Sequence, residues 1–201
     1  MSKPIYPQNS KLESAGFTLV ELMVTMAIMA IIAGLTFGNL NSTSNKLKSS
    51  ARTLQAKMQQ AKLMAVKENC NVFVDFDLDG DNAIDSFYTL WRDADNDNSY
   101  DDPVEFLETV ALPVLMAFGS VAGGAGGPTK GASPTSTVTP VADGISFSGN
   151  RVRFNPVGTA SNGWAYLHAP NKDSAGTYAV GSNNVGRVQI RHWVTEGGTW
   201  R

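Results

Sequence analysis

The longest apolar block of the chain runs from Phe17 to Phe37, FTLVELMVTMAIMAIIAGLTF, and Glu21 is its only charge. As a helix rising 1.5 Å per residue it reaches about 31 Å, the thickness of a bilayer's hydrocarbon core. Core helices of soluble proteins are usually shorter and amphipathic. Residues 17–37 are therefore expected to form one transmembrane helix.

The pattern then narrows to a stripe. Leu40, Leu47, Ala51, Leu54, Met58, Ala61 and Ala65 recur at steps of seven, four and three, while Lys46, Lys48, Arg52, Lys57, Lys62 and Lys67 fall largely off that line. This is the spacing of a helix with one buried face. No proline interrupts residues 8 to 102, so one helix is expected from about Phe17 to about Glu68, near 80 Å long. Residues 38–69 are its amphipathic continuation, and Gly34 and Gly38 are where it would bend.

After Cys70 the period changes from helical to alternating. Strands are expected at Asn71–Asp77, Ser86–Asp93, Ile145–Ser148, Val152–Asn155, Trp164–His168, Thr177–Val180 and Arg187–Trp193, parted by Gly, Asn, Pro or Asp clusters. A long helix followed by an antiparallel sheet is an α+β fold, with residues 70–201 as the sheet domain and the helix stripe buried against it. Residues 119–144, rich in Gly, Ser, Thr and Pro, read as a flexible surface loop.

Composition adds exclusions. The chain has 201 residues, and 16 Lys+Arg against 18 Asp+Glu leave a formal charge of −2, which argues against a uniformly basic nucleic-acid binder. A single cysteine excludes an intrachain disulfide framework. Cys70 at the helix-to-strand transition reads as a small hydrophobe. His168 and His192 have no metal-ligand context, and no Ser/His/Asp spacing is present, so no enzyme is read from the sequence.

The residues Gly16-Phe17-Thr18-Leu19-Val20-Glu21 resemble the prepilin motif of type IV pilins and type II secretion pseudopilins. The resemblance implies a leader, residues 1–16, cut by a prepilin peptidase between Gly16 and Phe17, with N-methylation of Phe17. It implies that Glu21 pairs with the freed amine of a neighbouring subunit's Phe17. Independently, an acid within hydrocarbon is costly and should persist only where a partner neutralises it; a snorkelling acid at the interface is the plainer alternative.

Two further stretches narrow the likeness. Leu90-Trp-Arg-Asp-Ala-Asp-Asn-Asp-Asn-Ser-Tyr-Asp-Asp-Pro-Val-Glu-Phe-Leu107, Phe154-Asn-Pro-Val-Gly158 and Gly186-Arg-Val-Gln-Ile-Arg191 resemble the Asp/Asn hairpin, Phe-x-Pro-x-Gly turn and Gly-Arg strand of the GspH/FimT minor pseudopilins. That family implies a pilin-like fold and a single-pass subunit of the bacterial inner membrane with its C-terminal domain in the periplasm. It implies assembly with other pseudopilins or minor pilins in a filament, on an inner-membrane platform driven by an ATPase. The expected function is a minor pseudopilin of a type II secretion pseudopilus. The alternative is a minor type IV pilin acting in pilus assembly or DNA uptake, in which Arg187 and Arg191 would contact nucleic acid. Gln189 leaves the family's Gly-Arg-x-Arg tail incomplete, and arginines that pair with the acidic hairpins are the plainer account.

Twelve of the eighteen acids fall between residues 75 and 108, against one base, Arg92. Asp77, Asp79, Asp81 and Asp85 stand at positions 1, 3, 5 and 9 of a calcium-type loop, and Asp93, Asp95, Asp97 and Asp101 repeat the spacing. Tyr88 and Val104 occupy the twelfth positions, where such a loop carries a bidentate acid. Calcium is the one cofactor expected; solvated Asp/Asn turns between strands are the alternative.

Overall fold

The computed structural model describes residues 17–40, 42–81, 83–101, 103–120, 143–194 and 199–201. The expected leader, residues 1–16, and nearly all of the 119–144 loop lie outside them. The chain divides into two units, 1–41 and Ser42–Arg201.

The first unit holds helix α1, Leu19–Leu40. Its start is a capping box. The Glu21 carboxylate accepts from Thr18 N and Thr18 Oγ1, both at 3.0 Å, while Thr18 Oγ1 accepts from Glu21 N at 3.2 Å. Side chains are described for 19–32, roughly 21 Å of the helix. All of them are exposed, Leu19, Val20, Met26 and Met29 among them. Among the described residues no helix is long and apolar enough to cross a membrane.

The second unit opens with α2, Thr43–Glu68. The single helix expected over 17–68 is thus two helices. Ser42 takes an extended conformation (φ −67°, ψ 138°) and its hydroxyl accepts from Asn45 N, so it caps a new helix instead of continuing the old one. Asn69 ends α2 in the left-handed region at φ 55°, which asparagine tolerates better than other side chains with a Cβ. The stripe is buried as its spacing requires: Leu47, Ala51, Leu54, Met58, Ala61 and Ala65 have no exposed surface.

Two antiparallel sheets follow where the sequence suggested one. The first has the order β3-β2-β1-β5, with β1 Asn71–Asp75, β2 Phe87–Asp93, β3 Phe106–Ala111 and β5 Arg151–Phe154. The second has the order β4-β6-β7-β8-β9, with β4 Ala117–Phe118, β6 Gly163–His168, β7 Thr177–Ser182, β8 Val188–Val194 and β9 Thr199–Trp200. Between β4 and β5, Ile145 makes only an isolated bridge to Ala165, and Ser148–Asn150 is a 3-10 turn, so no strand forms over 145–148.

Helix α2 packs on β1 of the first sheet and on β7 and β8 of the second. One core joins the α2 stripe to Val72, Val74, Val152 and Phe154 of the first sheet and to Ala165, Leu167 and Val180 of the second. Residues of opposite parity on the second sheet, Tyr166, Ala179 and Trp193, join Trp200 in a separate aromatic cluster. This is the period-two alternation of strands with both faces covered.

Candidate functional site

Phe17 is exposed, and Glu21 stands on the first turn of α1 with its carboxylate held by Thr18. The sequence reading missed this capping role, although Thr18-x-x-Glu21 is its signature. Gly16 lies outside the described residues.

The acidic residues fall in two loops that leave the antiparallel β1–β2 pair at opposite ends, 77–85 beyond Asp75 and 93–101 beyond the Asn71–Asp93 pair. Carboxylate oxygens of Asp77, Asp79 and Asp81 lie within 4.8 Å of one another, and so do those of Asp93, Asp95 and Asp97. Asp85 is near the first group: slight desolvation, then the charges of Asp79, Asp81 and Asp77, raise its pKa. Asp101 follows the second group, and its backbone N donates to Glu105 Oε2 at 3.2 Å. Glu105, which carried no role in the sequence reading, is 2% exposed, and its Oε1 also accepts from Ala94 N at 2.6 Å. It thereby ties the two ends of the 93–105 turn together. Both loops border an open cleft of about 500 Å³ lined by Asp75, Asp77, Gly80, Asn98, Tyr100 and Arg151 among others.

Beneath that cleft lies a stacked pair, Phe73 and Trp91, with centroids 4.1 Å apart. The Arg151 guanidinium sits over both rings at 5.0 and 5.9 Å. Burial pushes the Asp75 carboxyl up, while Asp77 N, Trp91 Nε1 and the Arg151 charge pull it back. Arg151 donates to Asn98 O at 3.2 Å and Arg153 to Asn98 Oδ1 at 3.3 Å. These two arginines therefore contact the 93–101 turn through Asn98, and among the described residues no ion pair joins them to its acids.

The remaining cations are arranged differently. Arg191 shares a shallow cleft of about 140 Å³ with Lys48 and Arg52 of α2, Tyr178, His192 and Arg201. The Tyr178 and His192 rings stack at 4.2 Å. Burial holds the His192 imidazole below its ordinary value, although its contact with the Ala175 carbonyl opposes this. Sequence spacing gave no signal that Lys48 and Arg52 would meet Arg191. Arg187 lies roughly 13 Å of extended chain from Arg191, at the turn before β8, where its N donates to Asn183 Oδ1 at 2.9 Å. Burial, with the nearby Glu68 charge, raises the Cys70 thiol, so it is not an activated nucleophile.

The two glycine motifs form a structural joint. In the turn after β5, Asn155 O accepts from Gly158 N at 2.9 Å, and Gly158 holds φ +80°. In the β7–β8 turn Gly186 holds φ +70°, and a Cβ there would lie 2.0 Å from Gly158 O. Lys62 of α2 donates to Gly186 O at 2.9 Å. Helix and both turns are thus locked at one point, and Phe154 beneath them is fully buried.

A family model for the prokaryotic N-terminal methylation motif matches residues 13–37, and one for the type II transport protein GspH matches residues 50–187. No curated protein matches the chain. Among solved structures, the minor pseudopilin EpsH from the type 2 secretion system of Vibrio cholerae is 11% identical, with a TM-score of 0.45 over 73% of this chain and 97% of that one. The type IV minor pilin FimU of Pseudomonas aeruginosa is 15% identical, with a TM-score of 0.43 over 72% of this chain and 91% of that one.

Proposed function

The chain belongs to the type II transport protein GspH family, and from that premise we propose that it serves as a minor pseudopilin, a structural subunit of a periplasmic type II secretion pseudopilus, without catalytic activity of its own. In this reading prepilin peptidase cuts between Gly16 and Phe17, the new Phe17 amine is methylated, and residues 17–37 hold the subunit in the inner membrane. The domain from Ser42 onward then faces the periplasm. An ATPase-driven platform in the inner membrane packs the subunit beside other pseudopilins.

The observation that carries this reading is the N-terminal segment. The match to the methylation motif, residues 13–37, covers most of α1, whose described side chains are exposed, with Glu21 as their only charge. Such an apolar surface needs lipid or neighbouring helices to cover it. Glu21 lies one helical turn from Phe17, so an amine freed on an adjoining subunit can neutralise it where water is absent. Burial of the acid then sets axial register, because any other offset leaves the carboxylate unpaired.

Replacing Glu21 with alanine tests this. The Glu21→Ala protein should enter the membrane and be processed normally, yet should fail to co-purify with assembled filaments. Incorporation at the unmodified level refutes the pairing.

A second reading, a minor type IV pilin in pilus assembly or DNA uptake, is favoured by one observation. Among the described residues, those lining the cleft that holds Lys48, Arg52, Arg191 and Arg201 include no acid, which suits a phosphate backbone.

A further inference from the structure

The end of β2 carries a buried charge that the surrounding protein leaves half satisfied. Asp93 has no exposed surface. Its Oδ2 accepts from Asn71 Nδ2 at 3.3 Å and from Asn98 N at 3.2 Å, whereas its Oδ1, equally buried, receives no hydrogen bond. Glu105 is buried close by in the same turn and accepts only from backbone amides. Among the described residues the ion pairs are Lys57–Glu108 and Arg92–Glu68, so neither buried acid has a cation at ion-pair distance. A buried carboxylate with an idle oxygen is costly unless a cation neutralises it or a proton does. Asp93 lies beside Asp95 and Asp97, their oxygens within 4.8 Å, and that convergence favours a multivalent cation over a single proton.

We infer that the turn 93–101 is a calcium site in which Asp93, Asp95 and Asp97 supply carboxylate ligands. The donor set is oxygen only, which suits a hard cation. Oxygens within 4.8 Å of one another fit a single shell of radius about 2.3–2.6 Å. The backbone agrees with the ligand spacing: Asn98, sixth from Asp93, holds φ 62°, where a calcium loop needs a left-handed residue. Val104 stands at the twelfth position and Glu105 is engaged with backbone amides, so no bidentate acid closes the site. The affinity expected is therefore that of extracellular modules, about 10⁻⁴–10⁻³ M. The first loop also holds a buried oxygen without a hydrogen bond, Asp77 Oδ1, while Asp77 Oδ2 accepts from Asn150 Nδ2 at 3.1 Å. It differs in that the Asp77 side chain as a whole is only half-buried and open to water, whereas Asp93 has no exposed surface. This inference stands independently of the filament reading.

The test uses the full-length chain in detergent micelles, freed of metal with a chelator. Adding 10 mM calcium chloride should raise the thermal midpoint by roughly 3–10 °C, given that affinity. Magnesium chloride at the same concentration should raise it far less. Terbium luminescence, sensitised through Tyr100 and Trp91, whose rings lie 5.8 Å apart, should appear and be displaced by calcium. Asp95→Asn combined with Asp97→Asn alters exposed residues only, so the fold should survive while both responses vanish. Asp79→Asn combined with Asp81→Asn should keep them. The inference is overturned if the unmodified chain shows no calcium-specific rise, if the rise survives in the Asp95/Asp97 variant, or if only the Asp79/Asp81 variant loses it. A failed filament assay would leave these measurements unchanged.

Discussion

Replacing Gly186 with alanine should be among the most damaging single-methyl additions in the sheet domain, and its cost can be assembled from the structure. Gly186 holds φ +70°, and holding an alanine there costs about 1–2 kcal/mol. The added Cβ would also lie 2.0 Å from Gly158 O and 3.1 Å from Lys62 Nζ. The carbonyl belongs to a backbone turn pinned over buried Phe154, so the β7–β8 turn must retreat, at about 1–3 kcal/mol. Retreat stretches the 2.9 Å bond from Lys62 Nζ to Gly186 O, which adds about 1 kcal/mol. The sum is about 3–6 kcal/mol, a large share of a domain's stability. Gly149 supplies the control, because it holds φ +66° with open space around its Cβ position. Gly149→Ala should therefore cost only the backbone part, about 1–2 kcal/mol. All four tryptophans, Trp91, Trp164, Trp193 and Trp200, lie in the Ser42–Arg201 unit. Urea unfolding of the full chain in micelles, followed by tryptophan fluorescence, thus reports on that unit alone. Equal losses for the two variants would refute the joint between the glycine turns.

The native state keeps His192 below its ordinary value of 6.5 and so binds fewer protons than the unfolded chain in that range. Its contribution to stability is present above about pH 6.5 and is lost as pH falls through the native value. His192→Gln should flatten the pH dependence of the urea midpoint between about pH 7 and pH 5, and an unchanged slope would contradict the assignment. For the pilin reading, duplex DNA should bind the full chain at low salt, weaken steeply as salt rises, and bind less well to an Arg191→Ala variant. Absence of binding at low salt removes that reading.

Local chemistry was written plainly in the sequence. The apolar run before Phe37 and the seven-four-three stripe need only the 3.6-residue period to be read, and the stripe from Leu47 to Ala65 is the buried face of α2. The 1-3-5 spacing of the aspartates was equally legible, and both triads do converge. The break at Ser42 was local too, since Ser42 bonded to Asn45 N is an ordinary helix start. A stretch without proline permits a continuous helix but does not enforce one.

Other features depended on partners distant in sequence. The division into two sheets follows from which strands pair, since β5 returns to β1 while β6 joins β4 and β7, and β9 pairs with β8 where Trp200 packs on Trp193 and Tyr166. Glu105 looked like one more solvated acid until the return of β3 buried it against Ala94 and Asp101. The sequence assigns Arg151 and Arg153 no particular partner, and the β1–β5 pairing carries both to Asn98. Backbone periodicity is fixed by neighbours a few residues away. The fate of a charge is fixed by what the folded chain brings to it, and whether that is water, a guanidinium or another carboxylate is decided only once distant strands have paired.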